Sequence, residues 1–121
     1  SGTTNFLLNE LLSQLDQTKH SVSVYHADCL KINACIGCYA CKNDSTCHFD
    51  DDMKQLYPQI LKAAKVIFVF PIYYFGITAP LKLILDRFFT INKLLHIQNK
   101  SMLLISASGI DKSWALEPIN N

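Results

Sequence analysis

The segment KVIFVFPIYYFGITAPLKLILDR, residues 65–87, decides the fold class of this chain. It opens with an apolar run, residues 66–70, that is rich in β-branched and aromatic residues and too short for an independent helix. This run is therefore predicted to be a strand buried on both faces. An aromatic loop follows Pro71, and Pro80 opens a segment with helical apolar periodicity. Strand, loop and helix in this order predict flat side chains at the carboxyl edge of a parallel sheet, where open α/β sheets bind ligands. Such an edge suits a flat cofactor.

Helices and strands are predicted to alternate along the rest of the chain. Five leucines form one stripe of a helix over residues 4–18, with Thr3 or Thr4 at its N-cap: Leu7, Leu8, Leu11, Leu12 and Leu15. Further strands are predicted at residues 21–27 and 102–107. Further helices are predicted over residues 50–64, over residues 79–93, and from Trp114 onward. Asp50, Asp51 and Asp52 cap the second helix, and Pro58 is expected to kink or restart it.

This order predicts an α/β fold with a doubly wound parallel sheet between two helical layers, joined by right-handed crossovers. The 121 residues suffice for a single domain, residues 1–121. The chain begins where a first strand should already have ended, and three strands make a poor sheet of this kind. We therefore expect a piece of a longer protein whose first and last strands are missing.

Composition excludes several classes of partner. Eleven basic and ten acidic residues leave a net charge of +1, with no long basic run, which gives no electrostatic case for nucleic acid. No apolar segment reaches the roughly 18 residues that a membrane span needs, and no secretory leader opens the sequence. A cytoplasmic protein without membrane or nucleic-acid partners is expected, and its cysteines are expected to be thiols or metal ligands.

Four cysteines are spaced C-x2-C-x2-C-x5-C: Cys35, Cys38, Cys41 and Cys47. Thiolates at this density can hold a [4Fe–4S] cluster. They can also bind zinc, although zinc sites usually separate two Cys-x2-Cys pairs by a longer gap. The third alternative is free thiols in a partly buried loop. Cys29 lies outside the pattern and is predicted to be a core residue, and the four histidines, including His48, are read as incidental surface residues.

Three blocks of the sequence together resemble the flavodoxin-like NAD(P)H-dependent FMN reductases, including their iron–sulfur flavoprotein branch. The first block is the Ser/Thr/Asn-rich segment of residues 1–5. The second is the cysteine run with its DDM triplet, residues 35–53, and the third is the P-x-Y…LK…DR block of residues 71–87. The resemblance implies a flavodoxin-like three-layer domain that binds FMN.

The resemblance also implies which residues bind the flavin. The phosphate would lie at the start of the first helix, where free N–H groups attract anions. The alternative is that the polar residues there serve only as the N-cap of that helix. The aromatic loop of residues 71–76 would border the isoalloxazine through its backbone N–H groups; the alternative is that its aromatic side chains pack in a core or a dimer interface. Small residues after the last strand would form the opposite wall. The predicted residues are Ser1, Thr3, Thr4 and Asn5; Pro71, Ile72, Tyr73, Tyr74, Phe75 and Gly76; and Ser106, Ser108 and Gly109.

The implied activity is transfer of reducing equivalents from NAD(P)H through flavin N5 to a flavin, quinone or other small acceptor. No side chain is required as an acid or base, and the Asp86–Arg87 pair is expected to hold a neighbouring loop or subunit. Two alternatives stay open: an electron carrier with a [4Fe–4S] cluster, and a flavin-free binding domain. The aromatic side chains of the loop at residues 71–76, together with Phe88 and Phe89, exceed what one small domain needs to bury. This excess favours a homodimer or homotetramer.

Overall fold

The computed structural model describes residues 2–16 and 18–108. It contains helices α1 (Gly2–Gln14), α2 (Met53–Lys62), α3 (Ala79–Arg87) and α4 (Asn92–Gln98), strands β1 (Lys65–Pro71) and β2 (Ser101–Ala107), and short 3-10 helices at Ala27–Cys29 and Phe88–Ile91. The two strands pair in one parallel sheet, and α3 and α4 lie between them in sequence. The predicted α/β class is therefore confirmed. Within the described residues, no helix is long and apolar enough to cross a membrane.

The chain divides into two compact units. The described part of the first comprises residues 2–16, 18–26, 67–78 and 104–108, and the second comprises residues 27–66 and 79–103. In the first unit, Phe68 and Phe70 of β1 are buried, whereas the alternate residues Ile67 and Val69 are half-buried. The strand therefore buries one face fully and the other in part. The leucine stripe of α1 is half-buried throughout.

The second unit contains a continuous apolar core. Met53, Leu56 and Ile60 lie at helical spacing on one face of α2 and pack in one cluster with Ile84, Ile91 and Leu95. Contrary to the predicted kink or restart, α2 continues through Pro58 without a restart. Lys54 and Pro58 both lie on the exposed side of the helix. Water can therefore reach the Lys54 carbonyl that a proline nitrogen cannot satisfy.

The predicted strand at residues 21–27 is wrong. Residues 21–26 have no regular secondary structure, and Ala27 begins a 3-10 helix. The alternating side chains Val22, Val24 and Tyr25 stay exposed. A strand needs a neighbouring strand to satisfy its backbone, and no described strand pairs with this segment.

The helix predicted over residues 79–93 begins as expected but ends earlier than predicted. Helix α3 stops at Arg87, whose carbonyl accepts a hydrogen bond from the Tyr57 hydroxyl at 2.9 Å. The 3-10 segment that follows buries Thr90 and Ile91. Helix α4 then runs to Gln98, and Asn99, in a left-handed conformation at φ 51°, ends it. The helix predicted from Trp114 lies outside the described residues.

Candidate functional site

All four clustered cysteines of the second unit border one pocket, here called the cysteine pocket. Its volume is about 20 Å³, which corresponds to roughly one water molecule. Its wall is formed by Cys35, Cys38, Cys41, Cys47, Ile36, Gly37, Tyr39, Ala40, His48, Phe49, Arg87, Phe89 and Thr90. The loop thus brings together the four cysteines that the sequence singled out.

Turns within the loop direct it around this pocket. Gly37 and Tyr39 have positive φ angles of 66° and 59°, a region that glycine adopts freely and that costs energy for tyrosine. The Tyr39 carbonyl accepts from the Lys42 N–H at 3.1 Å, and the Cys41 carbonyl accepts from the Ser45 N–H at 3.0 Å. These reversals let cysteines that are twelve residues apart border the same small volume.

Aromatic and imidazole groups line the pocket beside the thiols. The ring of Tyr39 meets that of Phe89 edge-on, with centroids 5.6 Å apart. The Nδ1 atom of His48 lies 3.8 Å from the Sγ atom of Cys38. His48 is exposed, as the sequence predicted, and its ring also lies beside a clustered cysteine. Only its position next to Cys47 in sequence could have suggested this contact.

Cys29 was predicted to be a core residue, and this prediction is wrong. It is exposed at the end of the first 3-10 helix, whereas Ala27 and Leu30 on either side pack against the core. All five cysteines are free thiols. Cys29 does not line the cysteine pocket, which makes it a natural control for the other four.

The donor set of the pocket consists of four cysteine thiols. Among the described residues, no three His, Cys, Asp or Glu side chains are arranged to hold one ion, so there is no preformed zinc site there. A [4Fe–4S] cluster takes four cysteine thiolates, one on each iron. Four free thiols along one pocket, on a loop without helix or strand, match that requirement in number and in donor type.

A buried ion pair joins the wall of the cysteine pocket to the start of α2. The Nη1 atom of Arg87 lies 2.5 Å from Oδ2 of Asp51, and Nη2 lies 3.3 Å from Oδ1. Nη1 also donates to the Asn33 carbonyl at 3.0 Å, and the guanidinium lies over the ring of Phe49, 5.1 Å from its centroid. Arg87 is 1% exposed. The expected structural role of the DR pair therefore holds for Arg87, while Asp86 pairs with Lys82 on the surface at 2.5 Å.

Asp51 is the acceptor on which three segments converge. Besides Arg87, it accepts from the backbone N–H of Asn33 at 2.9 Å and from that of Met53 at 3.1 Å. Burial by itself raises the pKa of the Asp51 carboxyl, but the hydrogen bonds from Arg87, Asn33 and Met53 outweigh it, so the pKa lies below its ordinary value. Asp51 is therefore an anion at neutral pH.

Of the acidic residues predicted to cap α2, Asp51 accepts a hydrogen bond from the helix start and Asp52 does not. Asp51 accepts from the N–H of Met53, the first residue of the helix. Asp52 makes no capping hydrogen bond with its side chain, which instead accepts from the Lys31 N–H at 2.7 Å. The triplet thus holds the segment before the cysteine loop as well as the helix start.

The aromatic loop of the first unit forms a tight two-residue turn. Tyr73 and Gly76 exchange both backbone hydrogen bonds, at 2.9 and 3.1 Å, and Tyr74 and Phe75 between them have φ angles of 45° and 67°. Positive φ at both corners is the geometry of a hairpin turn that glycine and asparagine favour, so bulky aromatics there are strained. Strain of this kind concentrates at ligand sites.

The three aromatics of this turn are all exposed, and Tyr74 is 96% exposed. The alternative that they pack in the core is therefore wrong. The backbone N–H groups of Ile72, Tyr73 and Gly76 already donate within the protein, to Ala107, Gly76 and Tyr73. A ligand at this loop would accordingly meet the two corner residues and the exposed rings.

Of the other predicted flavin residues, those that the structure describes lie in the same unit as this turn. Thr3, Thr4 and Asn5 belong to the first turn of α1, where helix N–H groups lack intrahelical acceptors. Ser106 lies at the carboxyl end of β2, and Ser108 follows that strand directly. Ser1 and Gly109 lie outside the described residues. Hydroxyl, amide and helix N–H donors suit a phosphate, and exposed rings suit a flat heterocycle, so this donor set fits FMN.

Comparison with known proteins gives one family and several relatives. A family model described as NADPH-dependent FMN reductase matches residues 1–115. An iron–sulfur flavoprotein of Archaeoglobus fulgidus is 33% identical over 86 residues, which cover 71% of this chain and 39% of the relative. Iron–sulfur flavoproteins of Methanocaldococcus jannaschii are 29% identical over 86 residues (71% of this chain, 45% of the relative) and 33% identical over 85 residues (69% and 43%). The chain spans less than half the length of these curated relatives. No solved structure matches it.

Proposed function

Because the chain belongs to the NADPH-dependent FMN reductase family, we propose that it is a flavin-dependent oxidoreductase that pairs FMN with a [4Fe–4S] cluster on Cys35, Cys38, Cys41 and Cys47. The observation that carries this proposal is the convergence of all four cysteines on one pocket. The relatives named as iron–sulfur flavoproteins support it as well.

In this proposal the first unit binds the flavin. The start of α1, with Thr3, Thr4 and Asn5, would hold the phosphate, because helix N–H groups and hydroxyls together stabilise an anion. The exposed turn residues Tyr74 and Phe75 would contact the ring system. When bound, FMN supplies hydride chemistry at N5 and one-electron chemistry to an acceptor. The protein's contribution is to orient the ring and to exclude water from it.

In the second unit the loop cysteines would hold the cluster as thiolates. Tyr39, Phe49 and Phe89 supply the aromatic part of the pocket wall, and the surroundings of an iron–sulfur centre tune its potential. The Arg87–Asp51 pair fixes the loop that begins at Asn33 against the end of α3. The pocket is therefore anchored on elements of the core rather than formed by the loop alone.

A second candidate is a cluster-free reductase that takes hydride from NAD(P)H and passes electrons to a small acceptor such as a flavin or quinone. Two observations favour it. The cysteine pocket holds only about 20 Å³, and the thiol of Cys38 already has a neighbour in His48. In this reading the cysteines are ordinary loop thiols.

The test is chemical analysis of the protein purified without oxygen. Iron, acid-labile sulfide and FMN are measured per chain, with the visible spectrum. The cluster proposal predicts roughly four irons and four sulfides per chain with bound FMN, loss of the iron in Cys47→Ser, and retention in the matched control Cys29→Ser. FMN without iron would favour the second candidate. A colourless protein that takes up no added FMN would contradict both and favour a flavin-free binding domain.

The physiological partner in this proposal is a small-molecule acceptor, and the assembly is a homodimer or homotetramer. Exposed aromatics support association: Phe6, Tyr25 and Phe89 are each roughly half-exposed or more. Light scattering after size-exclusion chromatography measures the mass of the assembly directly. A monomeric mass at micromolar concentration would contradict this part of the proposal.

A further inference from the structure

Arg87 carries a buried N–H group that the ion pair leaves unused. Its two terminal nitrogens are engaged by Asp51 and the Asn33 carbonyl. The third nitrogen, Nε, is buried and has no hydrogen-bond partner among the described residues. An unsatisfied buried donor costs about 1–3 kcal/mol, more when charged, so such groups usually serve a purpose.

The same side chain lies in the wall of the cysteine pocket, whereas Asp51 does not. Burial lowers the pKa of the Arg87 guanidinium, but the hydrogen bond to Asp51 and the charge interactions around the side chain together outweigh burial, so this pKa lies above its ordinary value. Arg87 and Cys47 both lie in the wall of the cysteine pocket. A guanidinium also stays protonated at any working pH.

We propose that Arg87 contacts the cluster, donating its Nε–H to a sulfur in the cysteine pocket and holding a fixed positive charge beside it. This inference rests on the proposed function, since it assigns a cofactor-contacting residue to the cluster site. The terminal nitrogens hold the guanidinium in place through Asp51, which leaves Nε as the one donor of this pocket-lining side chain that could serve the pocket. Arg87 of the DR motif would then have two roles: it holds the cysteine loop in place, and it affects the reduction potential of the cluster that the loop binds.

The consequence is a higher reduction potential. Reduction adds one electron, and hence one negative charge, to a cluster already anionic with its four thiolates. A buried cation and a hydrogen bond to sulfur both stabilise the more negative form, and these are recognised determinants of cluster potential. Asp51 opposes this effect from behind the guanidinium. Because Arg87 does not titrate, it takes up no proton in the one-electron couple.

The experiment compares midpoint potentials of anaerobically reconstituted wild type and three variants, titrated with dithionite and redox mediators and followed by electron paramagnetic resonance. The double variant Arg87→Met with Asp51→Asn removes the cation without leaving an unpaired buried charge, a replacement that proteins often tolerate. Arg87→Lys keeps the charge but loses the planar fork. Asp51→Asn keeps the cation and removes the opposing anion.

We expect the double variant to lose roughly tenfold in the equilibrium constant for reduction, which is about 59 mV for a one-electron couple. Asp51→Asn should move the potential upward, and Arg87→Lys should stay closer to wild type than the double variant. The opposite signs of the first two shifts exclude a purely structural role, since simple loosening of the loop would move both variants in one direction.

Two results would overturn the inference alone: a double variant with the potential of wild type, or a downward shift in all three variants. If the double variant fails to fold, Arg87→Lys decides the question, because it keeps the paired charge and loses the Nε–H donor: a potential equal to or above that of wild type overturns the inference. Wild-type protein that takes up no iron and sulfide would instead overturn the proposed function, and this inference with it.

Discussion

Arg87 and Asp51 face each other end-on in the second unit, with two nitrogen–oxygen contacts of 2.5 and 3.3 Å across 36 residues of sequence. Both side chains are almost completely buried, at 1% and 3% exposed. The pair connects the last residue of α3 with the residues just before α2, and through Asn33 it connects both with the cysteine loop. The pair is thus a long-range link between the start of the cysteine loop and two helices of the core.

Breaking this pair should be far more costly than replacing it. Asp51→Ala leaves a buried guanidinium without its counter-ion and is expected to lower the free energy of unfolding by about 3–5 kcal/mol. The double variant Arg87→Met with Asp51→Asn is expected to cost much less, because neither charge stays buried alone. Urea unfolding of both variants measures the difference. Equal losses in the two would show that the pair itself, rather than an orphaned charge, determines stability.

Acid should weaken the fold through Asp51. Its pKa is lower in the folded protein than its ordinary value of 3.8, so the carboxylate stabilises the fold above that pH. This contribution is lost as the pH falls below about 3.8 toward the folded-state pKa. Chemical unfolding from pH 6 to pH 3 should therefore show a steeper loss of stability in wild type than in Asp51→Asn. The control is Asp50→Asn, since Asp50 is 87% exposed and makes only a surface pair with Lys54. A control as flat as Asp51→Asn would contradict the assignment to Asp51.

Two isoleucines six residues apart should differ sharply in their contribution to stability. Ile91 is 1% exposed in the core of the second unit, whereas Ile97 on α4 is 69% exposed. Ile91→Ala removes buried methyl groups and leaves a cavity, at an expected cost of about 2–5 kcal/mol. Ile97→Ala should change the free energy of unfolding by roughly 0.5 kcal/mol or less. Guanidinium unfolding of the two variants tests this, and similar midpoints would mean that the core is not centred where the structure places it.

Relief of strain in the aromatic turn should separate stability from flavin binding. Tyr74 has a positive φ of 45° and a ring that is 96% exposed and meets the Phe75 ring at 5.5 Å, so Tyr74→Asn removes strain with little loss of packing. We expect stabilisation by about 0.5–1 kcal/mol, because asparagine tolerates this region. If the ring contacts the isoalloxazine, the same change should weaken FMN binding, measured by quenching of flavin fluorescence. Tyr73→Asn, at a position without positive φ, should give no stabilisation. Stabilisation with unchanged FMN affinity would remove Tyr74 from the proposed flavin site.

Elements whose signal is local were predictable. The leucine stripe predicted α1, and the apolar runs of residues 66–70 and 102–107 predicted β1 and β2 to within one residue at each end. The family resemblance also followed from motifs that are contiguous in sequence. Features that need a distant partner were not predictable. The segment of residues 21–27 alternates like a strand but has no described neighbour to pair with. Helix α3 ends at Arg87, whose carbonyl accepts a hydrogen bond from the distant Tyr57 hydroxyl.

By itself, the sequence determined the α/β class, the family and the spacing of the four cysteines, because hydrophobic periodicity and motif spacing are properties of neighbouring residues. Only the tertiary structure decided that these cysteines share one pocket, that His48 contacts Cys38, and that Arg87 lies buried in the pocket wall against Asp51. The physical reason is that burial, ion pairing and an unsatisfied donor depend on which distant segments pack together. No pattern within a single segment specifies that packing.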